Sequence, residues 1–289
     1  MKLRKISMRS FFMVTGSVIF GLVVVAWGFY RQFPYEEVKQ QVFSNLERET
    51  SLRIRSESIK PSYVPLRFST SGVELDLLLP DGTFKIASLP HLDVRVSISS
   101  LLSSMFHFSF RTDPYGGLTT GSFRMRRGMD RVEFESSLKD IDLSLWNPDN
   151  GFLPLKMEGR LNGTVSYECD PHRVGKGAGQ GDFTLVSGTV RGLKTFLIPL
   201  DPLDIDLGLL SLLFGEGRLR IRNLEVKSSD VTALIRGNIV PQDPWKESIL
   251  DLNVEASLNA SVQERLRLPF DRIRLHLAGT PARPKVRFE

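Results

Sequence analysis

Apolar and polar residues alternate most clearly across residues 217–240, GRLRIRNLEVKSSDVTALIRGNIV. Leu219 and Ile221 are interleaved with Arg218, Arg220 and Arg222, the period of two that gives a strand one buried face and one wet face. The phase slips at Asn223, because the next apolar pair is Leu224 and Val226. An uncorrected slip of one residue would turn those side chains to the wrong face, so the pattern predicts a β-bulge at Asn223. Lys227-Ser228-Ser229-Asp230 supplies a turn, after which Val231, Ala233 and Ile235 resume the alternation. The unit reads as a long hairpin, apolar on one side and basic or polar on the other.

The same pattern recurs from residue 51 onward. Leu52 and Ile54 alternate with arginines, and Val73, Leu75, Leu77 and Leu79 alternate with Glu74 and Asp76 before the turn Pro80-Asp81-Gly82. Phe84 and Ile86 form one short run, and Leu92, Val94, Val96 and Ile98 another. Residues 99–106 read as a short helical or irregular excursion, Phe108 and Phe110 restart the strands, and Tyr115-Gly116-Gly117 turns the chain. Phe123/Met125, Val132/Phe134, Ile141/Leu143/Leu145 and Leu161/Val165/Tyr167 are further runs. Residues 174–181, VGKGAGQG, read as a mobile loop, and residues 208–214 as a helical turn following Leu203, Ile205 and Leu207. Leu250 to Leu258 give the cleanest alternation, and Ile273, Leu275 and Leu277 precede Ala278-Gly279-Thr280-Pro281. Many short strands with frequent turn signals imply a mainly β body, a curved antiparallel meander sheet with a few short helices. Residues 147–151 (NPDNG) are the best dividing point between halves 51–150 and 151–289.

Before residue 51 the period changes. Residues 10–30 carry no charged side chain, and about 21 residues at ~1.5 Å each match the thickness of a bilayer core. Lys2, Arg4, Lys5 and Arg9 precede them, so residues 1–9 are expected in the cytoplasm and the body across the membrane. Trp27, Phe29, Tyr30, Phe33 and Tyr35 form an aromatic belt at the far end. A cleaved signal peptide would show a small-x-small site; Ala26 is followed by Trp27, so the reading is an uncleaved anchor. Tyr35, Val38, Val42 and Leu46 then recur at helical spacing, giving an amphipathic juxtamembrane helix over 31–50 that caps the following sheet.

Charge changes the picture only at that N-terminus. The net charge is +5, but without the four leading basic residues 34 basic residues face 33 acidic ones. A nearly neutral body argues against nucleic acid as partner. Cys169 is the single cysteine, so no intramolecular disulfide or cysteine-rich metal site is expected. His91, His107, His172 and His276 show no ligand spacing, G-x-S-x-G is absent, and the glycines of 174–181 lack the Gly-Lys-Ser/Thr entry into a helix. The acid pairs Asp204/Asp206 and Asp251/Glu255 read as solvated strand faces. No catalytic residue, metal ligand or cofactor-binding residue is nominated, and the protein is expected not to be an enzyme.

RLRIRNLEV, a polar turn and ALIRGNIV together resemble the repeating unit of AsmA-like periplasmic proteins, as does the ending LHLAGTPARPKV. A single anchor, PYEEVKQQV, a β-rich body and GRLNGTVSY more specifically resemble the type II secretion system protein N (GspN) family. That resemblance implies a bacterial inner-membrane protein with its body in the periplasm, an accessory or assembly subunit that contacts other secretion-system subunits. The AsmA kinship implies a folded-over sheet with an apolar groove for phospholipid. The candidate face, groove wall or core, is Leu203, Ile205, Leu207, Leu219, Ile221, Val231, Ala233, Ile235, Leu252 and Val254.

Overall fold

The computed structural model describes residues 52–57, 59–62, 67–79, 82–97, 100, 103–126, 128, 130–146, 156–170, 177–192, 202–242, 247–266, 269 and 271–288, together with 37, 40, 44 and 47. The chain divides into two compact units, Met1–Asn45 and Leu46–Glu289. In the first, Glu37, Gln40 and Ser44 are helical. The expected membrane span over 10–30 and the basic tail 1–9 lie outside the described residues. Among those that are described, no helix is long and apolar enough to cross a membrane.

The second unit is one open, curved antiparallel meander. Its first strands are β1 (Leu52–Arg55), β2 (Ile59–Ser62), β3 (Arg67–Leu79), β4 (Gly82–Val96) and β5 (Met105–Thr112). There follow β6 (Leu118–Arg126), β7 (Val132–Asp142), β8 (Lys156–Cys169), β9 (Ala178–Arg191) and β10 (Leu203–Gly215). The last are β11 (Arg218–Lys227), β12 (Val231–Val240), β13 (Ile249–Leu258), β14 (Arg272–Thr280) and β15 (Arg283–Phe288). From β3 to β15 each strand pairs with its neighbours in sequence, and β1 and β2 both pair with β3. β7 and β8, on either side of residues 147–151, are paired in the same sheet.

The hairpin that stood out in the sequence is β11–β12, and its bulge is present. Ile221 faces Gly237 and Leu224 faces Ile235, so Arg222 and Asn223 together oppose Arg236. Both apolar pairs of β11 thereby stay on one face. Comparable register shifts occur between β7 and β8, where Asp140 takes a left-handed φ of 53° and donates its N–H to Asn162 Oδ1 at 2.9 Å. Another lies between β8 and β9, where Ser187 has φ 50° and Gly159 has φ 120°. Such bulges bend a strand and sharpen its twist, a local source of curvature for an open sheet.

Several sequence readings need correction. Residues 208–214 are not a helical turn; they continue β10, hydrogen-bonded to β9 on one side and β11 on the other. The run LGLLSLLF hides its alternation because leucines occupy both faces. The glycine-rich segment is only partly a loop, since Gly179 and Gly181 are already in β9. Leu143 and Leu145 are not a strand but a 3-10 turn, opened by Asp142, whose side chain accepts from the Ser144 N–H. Phe84, Ile86 and Leu92–Val96 belong to one strand rather than two. A short helix, α1 (Ala260–Leu266), and β15 were not foreseen. α1 is capped by Asn259, whose Oδ1 accepts from the Ser261 N–H at 2.7 Å.

Candidate apolar groove

Directly paired residues on antiparallel strands share a face, so the registers can be followed across the whole sheet. One row runs Phe108, Phe123, Phe134, Tyr167, Gly179, Phe214, Leu219, Ile239, Leu250, Gly279 and Pro284. A second runs Leu138, Gly163, Phe183, Leu210, Leu224, Ile235, Val254, Leu275 and Phe288. Each position named is apolar or glycine; beyond Leu138 the second row gives way to Thr119 on β6 and Thr112 on β5. On the opposite face the same pairing aligns Arg124 with Glu133, Glu255 with Arg274, and Asn238 with Asp251.

One end of this apolar face is closed. The ends of β5, β7, β9, β11 and β13 lie together in a meander, and buried side chains gather there. Val262 of α1 is 1% exposed and sits on Val231, with Leu203, Ala256 and Leu258 packed around it. Pro114, Leu143, Val190 and Ile205 are buried near the same end. Along the middle of the sheet Phe134, Val165, Phe183, Leu210, Leu212, Leu224, Ile235 and Val254 are only half-buried. A filled sandwich core would bury these positions almost completely.

The aromatic residues of the face lie across the sheet over glycines. A Cβ on Gly121 would fall 2.5 Å from the ring of Phe110, and one on Gly163 would fall 2.5 Å from the ring of Phe183. A Cβ on Gly179 would fall 2.7 Å from the ring of Tyr167. Phe110 also stacks on Phe134, with centroids 5.8 Å apart and planes 10° apart. Rings held down in this way make a smooth floor rather than upright knobs that fill a core. Burial against the floor pushes the Tyr167 hydroxyl and the neighbouring Cys169 thiol above their ordinary ionisation ranges, so both stay neutral near pH 7.

The charged face differs from one side of the sheet to the other. Arg124 reaches Glu135 at 3.0 Å, and Arg131 reaches Glu133 at 3.0 Å and Glu168 at 2.9 Å, a ladder across β6, β7 and β8. Nearer the other edge, Arg67 holds Asp93 with help from Ser69, and Arg55 binds Asp76, which is 2% exposed. Among the described residues, no three of His, Cys, Asp and Glu are grouped to hold a metal ion. His276 lies 2.8 Å from Asp251 on the exposed polar face.

Comparison with protein-family models, curated proteins and solved structures finds no match.

The geometry therefore has to speak for the site. Of the nominated residues, Leu219, Ile221, Val231, Ala233, Ile235, Leu252 and Val254 share the apolar face by direct pairing. Leu203 joins them through its packing on Val231, and Ile205 is buried across from Gly188. Leu207 does not join them: it stands across from Lys227 and the exposed Val186, on the charged side. The shift marked by Ser187 carries through to β10, so the alternation slips between Ile205 and Gly208. The nomination missed the aromatic side of the floor, Phe108, Phe110, Phe123, Phe134, Tyr167 and Phe183. Their period-two spacing opposite glycine-bearing strands is the signal that would have found them.

Proposed function

We propose that this protein is a non-enzymatic lipid-handling protein of AsmA-like character, whose apolar sheet face is an open groove for phospholipid acyl chains. The observation that carries this reading is the apolar row unbroken from β5 to β15, half-buried along its middle, with α1 packed over the strand ends beside it. Such a surface in a solvated protein marks a place that takes an apolar partner. The path across the strands is also long. Twelve strands from β4 to β15, at about 4.8 Å spacing, give a contour of roughly 53 Å, well beyond one extended acyl chain. Within this proposal the protein sits in a bacterial inner membrane with its sheet in the periplasm, as the sequence resemblance implies.

The reading is tested by purifying the full chain in mild detergent, extracting it and identifying lipid by mass spectrometry. Near-stoichiometric phospholipid is expected, with a clear reduction in Leu224→Glu, which places a charge on the half-buried floor. Protein that carries no phospholipid would sink the reading. A second reading, the accessory subunit of a type II secretion system, draws on the outer edge formed by β1 and β2, which no described strand pairs. Capture of secretion-system subunits by lipid-free protein would favour it.

A further inference from the structure

We propose that the last strand, β15, together with the charged face of β11–β14, is a docking surface for an anionic lipid bilayer, placed so that the apolar floor opens into that bilayer. The first observation is charge. β11–β15 carry ten Lys and Arg against Glu225, Asp251 and Glu255, whereas β6–β9 carry six against seven acidic residues. The near neutrality of the body therefore conceals a segregation that only the fold reveals. Glu225 is taken by Lys227 at 2.9 Å, and Asp251 faces His276. Among the described residues, no carboxylate lies within ion-pair reach of Arg236, Arg272, Arg283, Lys285 or Arg287. An excess of positive charge without internal partners has its complement outside the molecule.

The second observation selects a bilayer among polyanions. All six residues of β15 are exposed, and the strand is sharply two-sided. Arg283, Lys285 and Arg287 pair with Thr280, Ala278 and His276 on the charged face. Val286 and Phe288 pair with Leu277 and Leu275 on the apolar face, yet they are 50% and 71% exposed. Basic side chains beside protruding apolar ones suit an interface of phosphate headgroups over hydrocarbon. A nucleic acid or an acidic protein strand would answer the charge alone.

The third observation is continuity, since Phe288 is the outermost residue of the row that runs through Leu275, Val254 and Ile235 to Phe183. An acyl chain leaving the bilayer at Phe288 would meet apolar side chains without crossing the charged face. This entry route rests on the acyl-chain reading above; the docking itself does not.

The test uses the full chain in neutral-lipid nanodiscs, mixed with vesicles of phosphatidylcholine alone or with phosphatidylglycerol added, and reads the fraction that floats with the vesicles. The N-terminal residues are identical in every variant, so their contribution cancels. Wild type is expected to prefer the anionic vesicles, with the preference falling as salt rises. Arg283→Gln/Lys285→Gln/Arg287→Gln should weaken binding roughly fivefold per charge, on the order of 100-fold in total. Val286→Ser/Phe288→Ser should weaken binding to the anionic vesicles by roughly tenfold relative to wild type. Because β15 is wholly exposed, both variants should keep the wild-type melting temperature, and that is measured alongside. Equal binding of the charge variant and wild type overturns the proposal. Unchanged binding of the apolar variant overturns the choice of a bilayer over other polyanions. Protein that carries no extractable phospholipid but retains the vesicle preference refutes the groove and leaves the docking surface standing.

Discussion

Strands β1–β9 and β10–β15 belong to one sheet and follow one alternation, yet they differ on both faces. On β5–β9 the apolar face is largely aromatic, with rings laid over glycines, and the opposite face is tied by cross-strand ion pairs. On β10–β15 the apolar face is Leu, Ile and Val, held down at one end by α1, and the opposite face carries unpaired arginines. The surface ion pairs are worth little singly, about 0–1 kcal/mol each, so they are not what makes the first part cohere. Steric fit of ring on glycine and the buried carboxylate of Asp76 weigh more. The first part ties several of its charged side chains to one another; the second leaves both charge and apolar surface for something else to meet.

The sharpest way to break this comparison is to remove a charge from each part. Arg55→Ala strands the 2%-exposed carboxylate of Asp76 and should cost about 3 kcal/mol in urea unfolding. Arg272→Ala, exposed on β14, should fall within about 0.5 kcal/mol of wild type. Similar costs at the two sites would show that Arg272 is satisfied internally after all.

A smaller effect is expected at the glycines. Gly121→Ala sets a Cβ 2.3 Å from the Glu135 carbonyl oxygen and against Phe110, so overpacking should cost about 2 kcal/mol. Gly215→Ala, with nothing within 4 Å, should be close to neutral. If Gly121→Ala proved as mild as Gly215→Ala by thermal unfolding, the rings would not be held against the sheet.

The smallest effect concerns acid. The Arg67 guanidinium, aided by the Ser69 hydroxyl, holds the Asp93 carboxyl below its ordinary value of 3.8. A lowered folded-state value means stabilisation that is present above pH 4 or so and is lost as pH falls through the folded value. Lys85 lowers Glu74 with the same sign. Unfolding free energy should therefore fall as pH drops below about 4.5 and on through the lowered folded-state values, and Asp93→Asn should make that fall shallower. An unchanged slope would mean that Arg67 is as free as Arg272.

The strands were legible wherever one face was wet. Arg-Leu-Arg-Ile-Arg and Asp-Leu-Asn-Val-Glu announce their alternation, and the slip at Asn223 located a bulge from spacing alone. Legibility failed where both faces carry similar residues, as in LGLLSLLF, because an unbroken apolar run carries no phase. It failed again at Leu207, where counting by twos crossed a bulge set by Ser187 on the neighbouring strand, a cue that no single strand contains. α1 was missed because seven residues are too short for a helical period to stand out, although the Asn259 cap was present. The charge segregation was invisible for a different reason: a total over the chain averages strands that the fold keeps apart.

The meander order has a kinetic consequence. Each strand from β3 onward closes onto the strand just before it, so almost every pairing spans only a short loop. Low contact order lowers the entropic barrier to closure and lets a sheet grow by adding one strand at a time to a formed hairpin. The stability of such an array resembles a sum of nearest-neighbour couplings, as in repeat proteins. Insertion or loss of a whole hairpin then changes the width of the sheet without rewiring the pairing of the others, which makes the length of its apolar path an easily varied quantity.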